Sequence, residues 1–240
     1  RGREMLPDTA YDAADEWLKR RLNVATTLGS QGIADAVRAD LRQWAFFSSR
    51  VASARIVAAL RELSDAYSRG EIGRADARSR LKEFLAEDPE AGGVPALAKT
   101  GRLNLILDQN RRMAQAVGRY QVSMDPDVVE RYPYWRYITG PNPRDSHAQL
   151  DGLVLRKDDP FWATHFPPWE FNCNCDVEEV AEDELGDYGG AAKRGPDLAP
   201  AASGYRFNPA EAFAGEFEVD ASLPADLRDK LMEGFDAKAG

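Results

Sequence analysis

The sequence predicts an α+β protein: a mainly α-helical N-terminal half, then a small loop-rich domain with short β-strands, then an extended C-terminal tail. Three observations predict it. Apolar residues recur every three or four positions through much of the chain up to residue 121. After Met124 that period fades, and prolines and aromatics rise. From Gly186 onward Gly, Ala, Pro and acidic residues dominate. The expected division is therefore a helical platform over 1–123, a small α+β domain over 124–185 and an acidic tail over 186–240.

Each element follows from its local pattern. Tyr11 to Leu22 carries apolar and small residues at helical spacing around Trp17. Ser30 caps a segment starting near Ile33, with Val37, Leu41, Trp44 and Phe47 on one face. A second stripe runs through Val51, Ile56, Leu60, Leu63 and Tyr67 and breaks at Gly70, which suits a left-handed C-cap. A shorter helix is expected from Ala75 to Ala86, burying Leu81, Phe84 and Leu85. The third long helix covers 95–121, with Leu103, Ile106, Leu107, Met113 and Val117 inward. Strands are expected at Tyr134–Ile138, Leu153–Leu155 and Asp176–Val180, and a last short helix near Ala225 to Phe235.

Composition bounds the function. A hydrophobic fraction of 43% allows a core, and 30% charged residues with a net charge of -9 give a highly charged surface. Uniform attraction to nucleic acid or anionic lipid is not expected from that balance. The exception is the third helix, where Arg102, Arg111, Arg112 and Arg119 face Asp108 alone. Such a run is either a solvated face or a surface for nucleic acid. No apolar run approaches the roughly 20 residues of a membrane-spanning helix, so no membrane partner is expected. The opening Arg1 to Met5 has no apolar stretch and does not read as a signal peptide. Two cysteines one residue apart are not a disulfide scaffold, and a reducing cytoplasm is the simplest compartment.

Every histidine and cysteine lies between residues 147 and 175: His147, His165, Cys173 and Cys175. On an extended segment residues two apart point the same way, so both sulfurs can face one ion. His147 and His165 would complete a Cys2His2 zinc set. The competing reading is packing: two small buried hydrophobes and a loop-ordering histidine. A nucleophilic cysteine beside His147 is a third reading, with no helix N-terminus and no orienting carboxylate in view. Asp151, Asp158 and Asp159 read as turn acids, general bases or hard-metal ligands, and Arg144 as a partner that locks the loop to one of them. Trp162 and Pro168 read as packing that closes a small core around the segment.

These residues fall in an ordered set: Arg144-x-x-His147, Leu150-Asp151-Gly152, Asp159-Pro160-Phe161-Trp162, Pro167-Pro168 and Cys173-x-Cys175. The set resembles the signature of the phage Mu F-like head morphogenesis, or minor head, proteins. The helix ending Asn110 to Tyr120, the helical stretch over 44–86 and the Gly204 to Pro209 element are similar to blocks of that family. His165 is outside the signature, and Asn174 stands where arginine is common. The resemblance therefore favours His147, Cys173 and Cys175 as a trio. It implies a non-catalytic role in head assembly, with portal and capsid proteins as partners and, in some relatives, DNA. It implies residence in the virion, at the head interior or portal vertex, after assembly in the host cytoplasm. The alternative is a metal-assisted hydrolase or cysteine-dependent enzyme acting in head maturation.

Overall fold

The computed structural model describes Ala14, Trp17 and residues 54–87, 100–200 and 207–212. The helix from Ile33 and the one near Ala225 lie outside these residues. Of the Tyr11 to Leu22 helix only Ala14 and Trp17 are described, both helical. The fold is α+β. Described residues from Ala54 to Ala114 belong to one compact unit, and those from Gln115 to Ala212 to another.

The first unit is built on α1 (Ala54–Ser68), α2 (Arg74–Glu87) and the N-terminal part of α3 (Thr100–Ser123). The end of α1 follows the predicted glycine. Gly70 has φ of 74°, its N–H bonds to Tyr67 O at 3.1 Å, and Glu71 N–H reaches back to Ala66 O at 2.9 Å. This pair of bonds is the Schellman closure. It turns the chain so that Leu60, Leu63, Ile72, Ala77, Leu81, Leu103, Ile106 and Leu107 share one core. Phe84 and Leu85 cover it from the side. Asp108, the lone acid among the arginines of α3, accepts from Arg74 at 2.7 Å and from Tyr67 at 3.2 Å.

The second unit carries an antiparallel sheet in the order β2-β1-β3. Its strands are β1 (Tyr134–Ile138), β2 (Val154–Arg156) and β3 (Asp176–Val180). Asp125 caps α4 (Pro126–Arg131) by accepting from Asp127 N–H at 3.0 Å, with Pro126 in the first turn. Alternation along β1 puts Trp135 and Tyr137 on one face and Tyr134 on the other. Tyr134 packs with Val154 and Val180. Trp135 is the hub of the opposite face, with ring centroids 5.4 Å from Trp162, 5.0 Å from Phe166 and 5.6 Å from Tyr120. These edge-to-face and tilted contacts explain the aromatic enrichment that replaces helical periodicity after Met124.

One charge lies within this aromatic face. The Lys157 ammonium, its side chain 2% exposed, lies 2.5 Å from Glu179 Oε2 and donates to Ser123 O at 2.8 Å. It also sits 5.5 Å from the Trp135 ring centre. Burial pulls the Lys157 pKa below its usual value, and Glu179 opposes that pull.

Beyond β3 the first three residues of the expected extended tail, 186–188, are helical. A 3-10 helix covers Glu182–Tyr188 and includes Gly186. Ala181 N–H bonds to Glu184 Oε2 at 2.8 Å and starts it, and Gly189 with φ of 78° ends it. The segment that follows lies beside β2. Ala192 N–H bonds to Val154 O at 2.9 Å, and Gly195 N–H bonds to Asp159 Oδ2 at 3.2 Å. A Cβ on Gly195 would lie 2.3 Å from Phe161 Cβ, so only glycine passes there.

Candidate metal centre

Two loops bring the site together. The first, after β1, holds the single helical turn α5 (Asp145–Ala148), which carries His147. Asp151 closes it by accepting from Thr139 N–H and Thr139 Oγ1, both at 2.9 Å. These bonds, the backbone one first, hold the Asp151 carboxyl below its usual pKa. Gly152, at φ of 77°, gives the left-handed step into β2 and donates to Tyr137 O at 2.9 Å. The second loop follows the turn α6 (Trp162–His165) and carries Trp169, Glu170, Cys173 and Cys175 into β3. Arg144 ties the two loops, donating to Glu170 Oε2 at 3.0 Å and to Phe171 O at 2.7 Å. Its partner is thus Glu170, not Asp151, Asp158 or Asp159. The loops touch so closely at Gly140 that a Cβ there would lie 2.3 Å from Asn174 O.

His147 is buried, at 1% exposure. Its Nδ1 lies 3.5 Å from Cys173 Sγ and 3.4 Å from Cys175 Sγ. Its Nε2 lies 3.0 Å from Glu170 Oε2. A carboxylate accepts only, so Nε2 carries the proton and, in the neutral ring, Nδ1 turns a lone pair toward the sulfurs. The Trp169 ring stacks on the imidazole at 4.2 Å and donates its Nε1–H to Tyr137 OH at 2.8 Å. The three donor atoms of His147, Cys173 and Cys175 all lie within 4.8 Å of one another, a group that can hold a metal ion.

The electrostatics match that use. The hydrogen bond with Cys173 is the largest influence holding the Cys175 thiol down at about 4; burial opposes it, and His147 and Tyr137 assist. The same bond, together with burial, pushes the Cys173 thiol up. Burial works against a charged His147, but Cys175 and Glu170 outweigh it and raise its pKa. A cysteine binds a cation as the thiolate, so the lowered Cys175 thiol suits that role. The three donors line a cavity of about 130 Å³, with Asn172, Asn174 and Arg144 among its other walls.

His165 is not part of this group. Its ring stacks on Phe161 at 4.4 Å, its Nδ1 pairs with Thr164 Oγ1 at 2.8 Å, and the Trp169 ring centre lies 4.7 Å away. Trp162 and Pro168 are buried, Trp162 donating from Nε1 to Arg156 O at 2.9 Å. Of the arginines expected on the basic face, Arg111 sits over the Tyr67 ring at 5.3 Å. Arg119 reaches Asp176 at 2.5 Å and Val177 O at 2.7 Å. Arg102 and Arg112 are half-buried. The residue that sequence reasoning missed is Glu170. The orienting carboxylate absent from the sequence pattern is present in space, three positions before Cys173.

Fold and site together define an α+β protein in which a thiol–imidazole cluster joins the two loops flanking a small antiparallel sheet. The family described as Phage Mu protein F like protein matches residues 59–178, which is half of the chain and includes all three donors. The chain belongs to that family. It is 30% identical over 147 residues to the Mu-like prophage FluMu F protein of Haemophilus influenzae, covering 58% of this chain and 35% of that protein. It is 36% identical over 95 residues to the putative capsid assembly protein F of Escherichia phage Mu, covering 39% of this chain and 21% of that protein. These matches thus span about a third and about a fifth of the two relatives' lengths. No solved structure matches the chain.

Proposed function

We propose that this chain is a minor head protein that acts in phage head assembly, with a structural zinc ion on His147, Cys173 and Cys175 fixing its small domain. One observation carries the reading: donors 26 and 28 residues apart in sequence lie at the spacing that one tetrahedral ion requires. Tetrahedral zinc, with bonds of about 2.3 Å to sulfur and about 2.0 Å to nitrogen, sets N and S about 3.5 Å apart. The distances here are 3.5 and 3.4 Å. Glu170 on the far nitrogen is the carboxylate–histidine arrangement that orients such ligands. Capsid assembly is the role in the name of the phage Mu relative, and family membership supports extending it to this chain.

In this reading residues 1–123 form a platform for portal and capsid partners, 124–185 the pinned domain and 186–240 the tail. The protein is built in the host cytoplasm and resides in the virion. No helix among the described residues is long and apolar enough to cross a membrane. DNA contact through the third helix is a weaker part of the proposal, because Arg111 and Arg119 engage partners within the chain.

Elemental analysis tests the zinc reading: one zinc per chain in the wild type is expected, and none in Cys173→Ser. Limited proteolysis of Cys173→Ser should open the 130–185 region and spare the helices. A wild-type digestion pattern would count against the pinning role. The catalytic alternative gains one supporting contact, since Cys175, His147 and Glu170 line up as thiol, base and orienting acid. Alkylation separates the two readings. Thiols that react only after chelation favour the ion, whereas a fast-reacting thiol in the zinc-loaded protein favours the nucleophile.

A further inference from the structure

We infer that the ion on His147, Cys173 and Cys175 keeps one coordination position open to the cavity and binds there a single small nitrogen donor of the imidazole class. The inference rests on the metal reading above and deepens it. Among the described residues three donors fill three corners of a tetrahedron, and closed structural sites fill four. The neighbouring polar groups are committed elsewhere. Glu170 is bound to the opposite ring nitrogen of His147 and to Arg144. Asp151 is held by Thr139. His165 stacks on Phe161, with Trp169 packed against both histidine rings. The Tyr137 hydroxyl comes within 3.4 Å of His147 Nδ1, but it accepts the Trp169 Nε1–H, hydrogen-bonds the Cys175 sulfur and does not line the cavity. The three ligands all do line it.

The cavity decides what the open position takes. About 130 Å³ is well below the roughly 300–1,000 Å³ of metabolite pockets, so the occupant is one small group. Apart from the ligands, the lining contains no carboxylate or imidazole, only proline, glycine, asparagine and Arg144. A metal-bound water would find no base there to take its proton, so ligand capture fits this centre better than hydrolysis. Two thiolates cancel the charge of a divalent ion, and Glu170 pairs with the Arg144 guanidinium at 3.0 Å, a balance that favours a neutral donor over an anion. Imidazole has that chemistry, either as a free molecule or as a histidine of another protein. This chain's two histidines are both buried.

The test uses the full chain loaded with cobalt(II), whose ligand-field bands report coordination. One cobalt per chain with a thiolate charge-transfer band is expected, and imidazole should shift the ligand-field bands saturably while the thiolate band remains. N-acetyl-histidine methylamide distinguishes the sources. An equal shift supports an open position within reach of a protein-borne histidine; a shift with imidazole alone supports one reserved for free ligands. Bound cobalt whose bands ignore saturating imidazole would overturn the inference and leave the metal reading standing. Failure to take up cobalt or zinc at all would sink the metal reading itself.

Discussion

His147 is bonded through both ring nitrogens, and the two sides were unequally legible. The sulfur side could be read from sequence, because Cys-x-Cys on an extended segment is a local pattern and the family resemblance set His147 apart from His165. The carboxylate side could not. Glu170 lies 23 residues from His147, in a stretch with no period, and only the folding of both loops brings them together. On the proposed metal reading, Glu170→Gln should keep the fold and weaken metal affinity by roughly 10–100-fold, measured by chelator competition, because outer-sphere partners of a ligating histidine have effects of that size. His165 makes a separate statement about pH. Burial is the largest cause lowering its pKa from the ordinary value of 6.5. Above that value both folded and unfolded chains hold it neutral. As pH falls through about 6.5 the unfolded chain takes a proton that the folded chain resists, so stability drops on acidification. In His165→Phe, which keeps a ring against Phe161, urea melts at pH 7 and pH 5 should differ less than in the wild type.

At the scale of elements, boundaries with local chemistry were readable and those set by packing were not. Gly70 ended α1 as its sequence position implied. Tyr134–Ile138 and Asp176–Val180 appeared where β-branched and aromatic residues placed them. Strand β2 begins one residue later than expected, at Val154, because Leu153 closes the preceding turn on Leu150. The 3-10 helix at Glu182–Tyr188 was hidden by its acidic, glycine-containing composition, which reads as tail. The Lys157–Glu179 pair was also hidden, since nothing in the sequence marks a lysine that ends under a tryptophan. Glu179→Ala should cost about 3–5 kcal/mol in denaturant melts by leaving the ammonium buried and unpaired. Lys157→Met together with Glu179→Leu should recover most of that loss. Gly140→Ala drives a methyl into the Asn174 backbone and should destabilise by about 1–3 kcal/mol or more. Its effect should appear as a lowered melting temperature.

For the whole molecule, the change of texture at Met124 was visible because two kinds of packing leave different periods. The Ala54–Ala114 unit is held by aliphatic side chains at helical spacing, whereas the Gln115–Ala212 unit depends on aromatic contacts and the thiol–imidazole group. Chelation should therefore act unevenly. If the proposed ion is bound, hydrogen exchange after its removal should speed up over residues 137–177 and stay unchanged at Leu60, Leu81 and Leu103.

The rims of the sheet have one more consequence. On the β2 side Ala192 occupies the carbonyl of Val154, and on the β3 side the Arg119 guanidinium occupies that of Val177. A strand from a neighbouring molecule would have to displace one or the other before it could extend the ladder. Copies crowded at high local concentration are thus discouraged from polymerising edge to edge into fibres.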